Sequence, residues 1–421
     1  MRYILFTLFV FKTLLLASFA TGTITDKTTS TPIENAIISD SAISVNSDKS
    51  GKFSINSNEK ALFIKAYGYR PYKLEQMISN TAAIQLEPIT VKALYLTFWG
   101  ANINSKTMKN TLDIIDKTEI NAIVVDIKNE YGSTSYRTSS DKANGYGAAN
   151  NRTIKDIKSF ISLMKSKNIY TIARVVTFKD ELQAMNNLDY AIRNKNNELS
   201  RDSDKMAWID PFDKRSHEYT VSIAEDAANA GFDEINFDYI RFPAKTELKL
   251  AKESTEENRV KAIEDFLILA KNRLRKYGTF ISVSIYGNAC WQEDDTGIGQ
   301  KIESLAKHAD YIAPMLYPSG FVSGSFGVKY PADYPYITIY RSIKNIEGKI
   351  DSKRVRPWLQ SFKDYAHSKR HYKKFEIREQ IKAADDVKTS GWMMWSPSSK
   401  YDITCFTKDN EQRPLTLGSK L

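Results

Sequence analysis

From Val91 to about Ser399 the chain repeats one pattern: a short apolar run, then a longer stretch whose apolar positions recur three and four residues apart. Runs of the first kind read as strands buried on both faces, and the longer stretches as amphipathic helices covering them. The runs are Ala93–Trp99, Ala122–Lys128, Tyr170–Thr177, Glu234–Ile240, Phe280–Tyr286, Tyr311–Tyr317, Val355–Gln360 and Gly391–Ser396. Thr153–Lys167, Lys214–Ala230, Glu256–Tyr277 and Phe375–Lys388 are the clearest helical stretches between them. Eight such units predict an α/β fold, a (β/α)8 barrel over residues 91–400. An open doubly wound sheet is the alternative, but no glycine-rich phosphate loop follows the first run.

Residues 21–90 have a different texture. Short alternating runs are broken by Asp, Gly and Pro turns, from Gly22-Thr23-Ile24-Thr25-Asp26 to Ile84-Gln85-Leu86-Glu87-Pro88. That pattern predicts a small all-β sandwich. Its D-x-x-G-x-F turn (Asp48, Gly51, Phe53) and its Gly68-Tyr69 strand end resemble the carboxypeptidase regulatory-like domain. The resemblance implies an accessory, non-catalytic module. Residues 1–20 combine a cationic start, an apolar run and a small-x-small end at Ser18-Phe19-Ala20, as a signal peptide does. Lys12 interrupts the run, which is short for a membrane span. Export to the periplasm or the extracellular space is expected, with an uncleaved anchor as the alternative. No integral membrane domain is expected beyond this segment, and residues 401–421 read as a C-terminal tail.

The 421 residues are 42% hydrophobic and 26% charged, an ordinary globular balance. The net charge of +10 comes from scattered lysines. No basic run is interleaved with stacking aromatics, so nucleic acid is not an expected partner. Two cysteines, Cys290 and Cys405, exclude a disulfide scaffold and leave one bridge or two free thiols open. His367 and His371 have i, i+4 spacing but lack the intervening Glu of a helical zinc motif. No metal and no cofactor are expected.

The chemistry concentrates where the runs end. Asp238 stands on a strand that should be buried on both faces, near its C-terminal end, where α/β barrels keep their active sites. An ionised carboxylate there is costly unless it is paired or used. The same alternation brings Thr97, Trp99, Asp126, Lys128, Glu130, Arg174, Asn236, Ser282, Ser284, Tyr286, Tyr317, Gln360, Trp395 and Ser396 to one mouth, with Asp180 and Glu293, Asp294 and Asp295 in adjoining loops. Carboxylates beside flat aromatic rings are the usual furniture of a sugar site.

Four segments carry a family resemblance in order: Val125-Asp126-Ile127-Lys128, Asn236 through Pro243, Glu293 through Gln300, and Ala313 through Ser319. They resemble the bacterial glycoside-hydrolase-like barrels once catalogued as a domain of unknown function, over about Lys92 to Ser399. The resemblance implies a TIM barrel that hydrolyses glycosidic bonds in a polysaccharide. Members often carry an acidic residue where this chain has Ser284, and His where it has Gly320.

Glycoside hydrolysis needs one protonated and one ionised carboxyl group. Asp238 is expected to be the ionised nucleophile or base, with Arg174 between it and Asp126. Glu293 or Asp294 is expected to supply the acid, with Glu130 as a further option. Asp126, Lys128, Arg174, Trp99, Asn236, Arg241, Tyr286, Tyr317, Gln360 and Trp395 are expected to bind substrate. A barrel that kept the cleft and lost catalysis, binding envelope polysaccharide, is the alternative. Substrate, linkage, stereochemical course and oligomeric state are open at this level.

Overall fold

The computed structural model describes residues 19–57, 59–75 and 82–407. The expected signal segment lies, through residue 18, outside the described residues, as does the expected tail beyond residue 407. Phe19 and Ala20 already pair with Asn56 and Ile55. Cleavage after Ala20 would therefore trim two residues from a formed strand.

Two sheets make up the N-terminal part. One has the order Lys52–Asn56, Phe19–Asp26, Ala82–Leu86; the other has the order Ser44–Asn46, Ile37–Ser39, Ala61–Lys65, Tyr72–Glu75. Alternation decides which side chains go inside: Phe53 and Ile55, Leu62 and Ile64, and Ile84 and Leu86 fill the space between the sheets. The Asp48–Gly51 turn is fixed twice. The Asp48 carboxylate accepts the backbone N–H groups of Ser50 and Lys52 at 2.8 and 2.9 Å. Gly51 sits at φ +74°, where a Cβ would lie 2.3 Å from the Ile24 carbonyl oxygen, so glycine is required.

Eight parallel strands then close into a barrel in chain order: Val91–Leu96, Ala122–Lys128, Tyr170–Val176, Glu234–Asp238, Phe280–Tyr286, Tyr311–Met315, Trp358–Gln360 and Gly391–Trp395. All eight expected strands are present. The first, fourth and sixth stop two or three residues short of the apolar runs that announced them. Inside the barrel, Ala93, Tyr95, Val124, Ile172, Tyr311, Ala313, Trp358 and Met393 pack in layers. The opposite parity, including Leu94, Val125, Val175, Phe237, Val283 and Ile312, faces the helices.

The sandwich seals the N-terminal end of the barrel. Tyr67 and Ile89 pack against the inner layer, and Tyr67 meets Tyr311 edge-on at 5.8 Å. Lys65 donates to the Asp310 carboxylate at 2.9 Å and to the Thr279 carbonyl at 3.1 Å. Just inside this end, Arg356 pairs with Glu234, both buried. The sandwich leaves the opposite, C-terminal mouth uncovered, the end where barrels of this kind carry their sites.

Cys290 and Cys405 are buried free thiols. His367 and His371 lie in an irregular segment before the helix Lys374–Asp386, so their spacing creates no shared helical face. Among the described residues no helix is long and apolar enough to cross a membrane.

Candidate active site

At the C-terminal mouth three carboxylates converge on one guanidinium. Arg174, on the third strand, is 1% exposed and donates from Nε to Asp238 at 2.8 Å, from Nη1 to Asp126 at 2.7 Å and from Nη2 to Glu130 at 2.7 Å. Register explains two of these contacts. Arg174 pairs with Asp126 on the second strand and with Asn236 on the fourth, so the next inward residue of the fourth strand, Asp238, overhangs it. A register shift directly after Arg174 sets Val175 opposite Lys128 and lets the second-strand loop bring Glu130 to the same guanidinium. The side chains of Asp126, Asp238 and Glu130 are 4%, 8% and 32% exposed, so Glu130 is the outermost.

The environments of these carboxyls differ. Burial raises Asp126 to about 6, despite Arg174 beside it. Burial is the largest influence on Glu130 and opposes its ionisation, but the Arg174 charge, the Arg174 hydrogen bond and smaller contributions together outweigh it and hold Glu130 below the usual carboxylate range. Tyr95 donates to Asp126 Oδ2 at 2.6 Å and stacks on Trp395 with ring centroids 3.9 Å apart. Arg174 lies over the same Trp395 ring at 5.2 Å. Carboxyls driven apart in proton affinity within one cluster can divide acid and base roles.

The chain leaves Asp238 under strain. Tyr239 adopts φ 49°, the left-handed region that a bulky side chain rarely occupies. Its N–H donates to Asp238 Oδ1 at 2.7 Å, which aims the carboxylate. Arg241 then folds back between Trp208 and Tyr286, 4.7 and 4.6 Å from the ring centroids.

The structure thus brings together Asp126, Glu130, Arg174, Asp238 and Trp395, and sets Arg241, Tyr286 and Tyr317 beside them. Other expectations need correction. Glu293 does not reach the mouth: it is 89% exposed and faces Lys349 beyond the helix Pro335–Ile346. Asp294 is exposed, and its carboxylate accepts the Thr296 N–H. Asp295 pairs with Arg259 on an outer helix. This loop runs along the outside of the barrel, where strand parity says nothing about direction. Glu293→Gln and Asp294→Asn are accordingly expected to leave glycan cleavage within about twofold of wild type, measured as initial rates.

Trp99 is 68% exposed, because the strand ends at Leu96 and the chain turns through Thr97–Ala101. Lys128 is fully buried against Asp180 at 2.8 Å and the Val176 carbonyl at 2.5 Å. Asn236 is buried between Ser282 and Ser284. Gln360 is buried against Ser319. These last three brace the floor and the sixth-strand loop instead of meeting solvent. Tyr95 was missed, although its parity with Ala93 was legible. Tyr365 and Phe321 were missed because they lie in irregular loops that carry no period.

The family named Putative glycosyl hydrolase domain matches residues 93–401. No curated protein matches the chain. Among solved structures, the glycoside hydrolase domain of PgaB (BpsB) from Bordetella bronchiseptica is 12% identical, covering 74% of this chain and 95% of that one with a TM-score of 0.55. Alpha-L-fucosidase isoenzyme 2 from Paenibacillus thiaminolyticus is 11% identical over 76% of this chain and 48% of that one, with a TM-score of 0.50. A hypothetical protein from Ruminiclostridium thermocellum is 32% identical over 45% of this chain and 96% of that one, with a TM-score of 0.40.

Proposed function

Because this chain belongs to that glycosyl hydrolase family, we propose that it cleaves glycosidic bonds in an exported or envelope polysaccharide, using Asp238 and Asp126. The observation that carries this reading is the trio of carboxylates on Arg174 at the barrel mouth. Asp238, held by Arg174 Nε, acts as the nucleophile at the anomeric carbon or as the base for the water that attacks it. Asp126, raised by burial, holds the proton delivered to the leaving oxygen. Glu130, nearer solvent, and Trp395 contact the sugar. The envelope location rests on residues 1–20, and fractionation of cells producing the full chain tests it.

The pH dependence follows from the sign of the Asp126 shift. A donor raised to about 6 is protonated below that pH and loses its proton above it. kcat/KM should therefore fall as pH rises past about 6. A profile flat from pH 5 to 8 would remove Asp126 from the acid role.

Reducing-end release by the purified protein from a polysaccharide panel, including denuded peptidoglycan strands, tests the activity. Product from wild type establishes hydrolysis and names the substrate class. One observation favours the binding-protein reading: the inward row of the fifth strand carries Ser284, whose hydroxyl is buried against Asn236 and Trp358. Retention of a glycan without release of product would favour that reading.

A further inference from the structure

A pocket of about 380 Å³ opens at the mouth, with Tyr286, Asn288, Met315, Tyr317, Phe321 and Tyr365 gathered around Gly320. We propose that it is the subsite for an uncharged sugar residue beside the scissile bond, and that Gly320 is the specificity-determining position that keeps it open. The proposal rests on reading the mouth as a glycan site.

Position comes first. Met315 and Tyr317 pack on the same inner layer of the barrel as Trp395, the ring under Arg174 at 5.2 Å, so a ring in the pocket shares the mouth with the carboxylate cluster. Chemistry comes second. No lining side chain is a carboxylate, an ammonium or a guanidinium. Arg241 lies behind Tyr286, buried, with its guanidinium stacked on rings and donating to the Phe242 carbonyl at 2.8 Å. A uronate, sulfated or phosphorylated sugar would be desolvated there without a partner. A neutral ring instead offers C–H faces to the Tyr walls and hydroxyls to Asn288 and the phenols.

The wall is also held in place. The Asp364 carboxylate accepts backbone N–H groups from Ala366, His367 and Lys369 at 3.0, 3.1 and 3.0 Å and the Ser368 hydroxyl at 3.0 Å. Tyr365 within this knot lies parallel to Phe362, with a 4° interplanar angle. Gly320 itself is not demanded by the backbone, for its φ lies outside the left-handed region. A Cβ there would meet only the Tyr365 hydroxyl, at 3.3 Å. The missing side chain therefore leaves space that a larger residue would fill.

Calorimetric titration of the Asp238→Asn protein and of wild type with N-acetylchitopentaose, cellopentaose and pentagalacturonate tests the proposal. At least one neutral oligosaccharide should bind, and the uronate at least about tenfold more weakly. Gly320→Leu and Tyr365→Ala should each weaken neutral binding about tenfold, the order expected for a lost stacking contact. Gly320→Ala should stay close to its parent, and circular dichroism confirms that each variant is folded. Unchanged affinity in both Gly320→Leu and Tyr365→Ala overturns the proposal, as does uronate bound as tightly as neutral sugar, or no neutral binding. Neutral binding that weakens in the variants, with no hydrolysis by wild type, would sink the hydrolase reading and leave the subsite standing.

Discussion

Asp238→Asn is expected to lower glycan cleavage by at least about 100-fold, the usual cost of losing a group that transfers a proton or bonds to the substrate. The substitution keeps shape and removes charge. Asn keeps one acceptor oxygen, enough for either Arg174 Nε or the Tyr239 N–H, which bond to different oxygens of Asp238, so one of the two positioning contacts is retained. Binding should therefore survive better than turnover, so that kcat falls while glycan affinity stays within a fewfold. Initial rates together with a pull-down on insoluble substrate separate the two. Turnover within about tenfold of wild type would remove Asp238 from the chemistry.

Arg174→Met is expected to cost about 3–5 kcal/mol of stability at pH 7, the range for stripping the partner from buried charge. Three carboxylates would lose the guanidinium that holds them, at positions 4%, 8% and 32% exposed. The sign with pH follows from linkage. Buried carboxyls without a cation bind protons more tightly folded than unfolded, so the folded state gains stability as pH falls through their raised values. The defect measured by urea unfolding should thus shrink between pH 7 and pH 5. A variant as stable as wild type at pH 7, or one with the same deficit at both values, would show that the cluster is not held by this charge balance.

The sequence determined the scaffold of this protein because its signals are local and periodic. Buried strands announced themselves as apolar runs, and all eight took their places in the ring. Parity within those strands was enough to put Arg174 between Asp126 and Asp238. The D-x-x-G-x-F turn was legible for the same reason, since Asp48 and Gly51 satisfy constraints within a few residues of themselves.

Only the tertiary structure decided what the loops do. Parity carries Trp99 inward, but its strand stops at Leu96 and the turn points it to solvent. Glu293 and Asp294 lie close in sequence to the fifth strand and yet on the outside of the barrel, whereas Glu130 reaches the guanidinium from the loop after the neighbouring second strand. Burial divided the remaining candidates: Lys128 and Asn236 went beneath the floor, while Asp126 was raised towards a donor's range. A residue type and its period fix which way a strand residue faces. Solvent access, loop direction and the charges that finally meet depend on packing between segments far apart in the chain, and no local pattern encodes those.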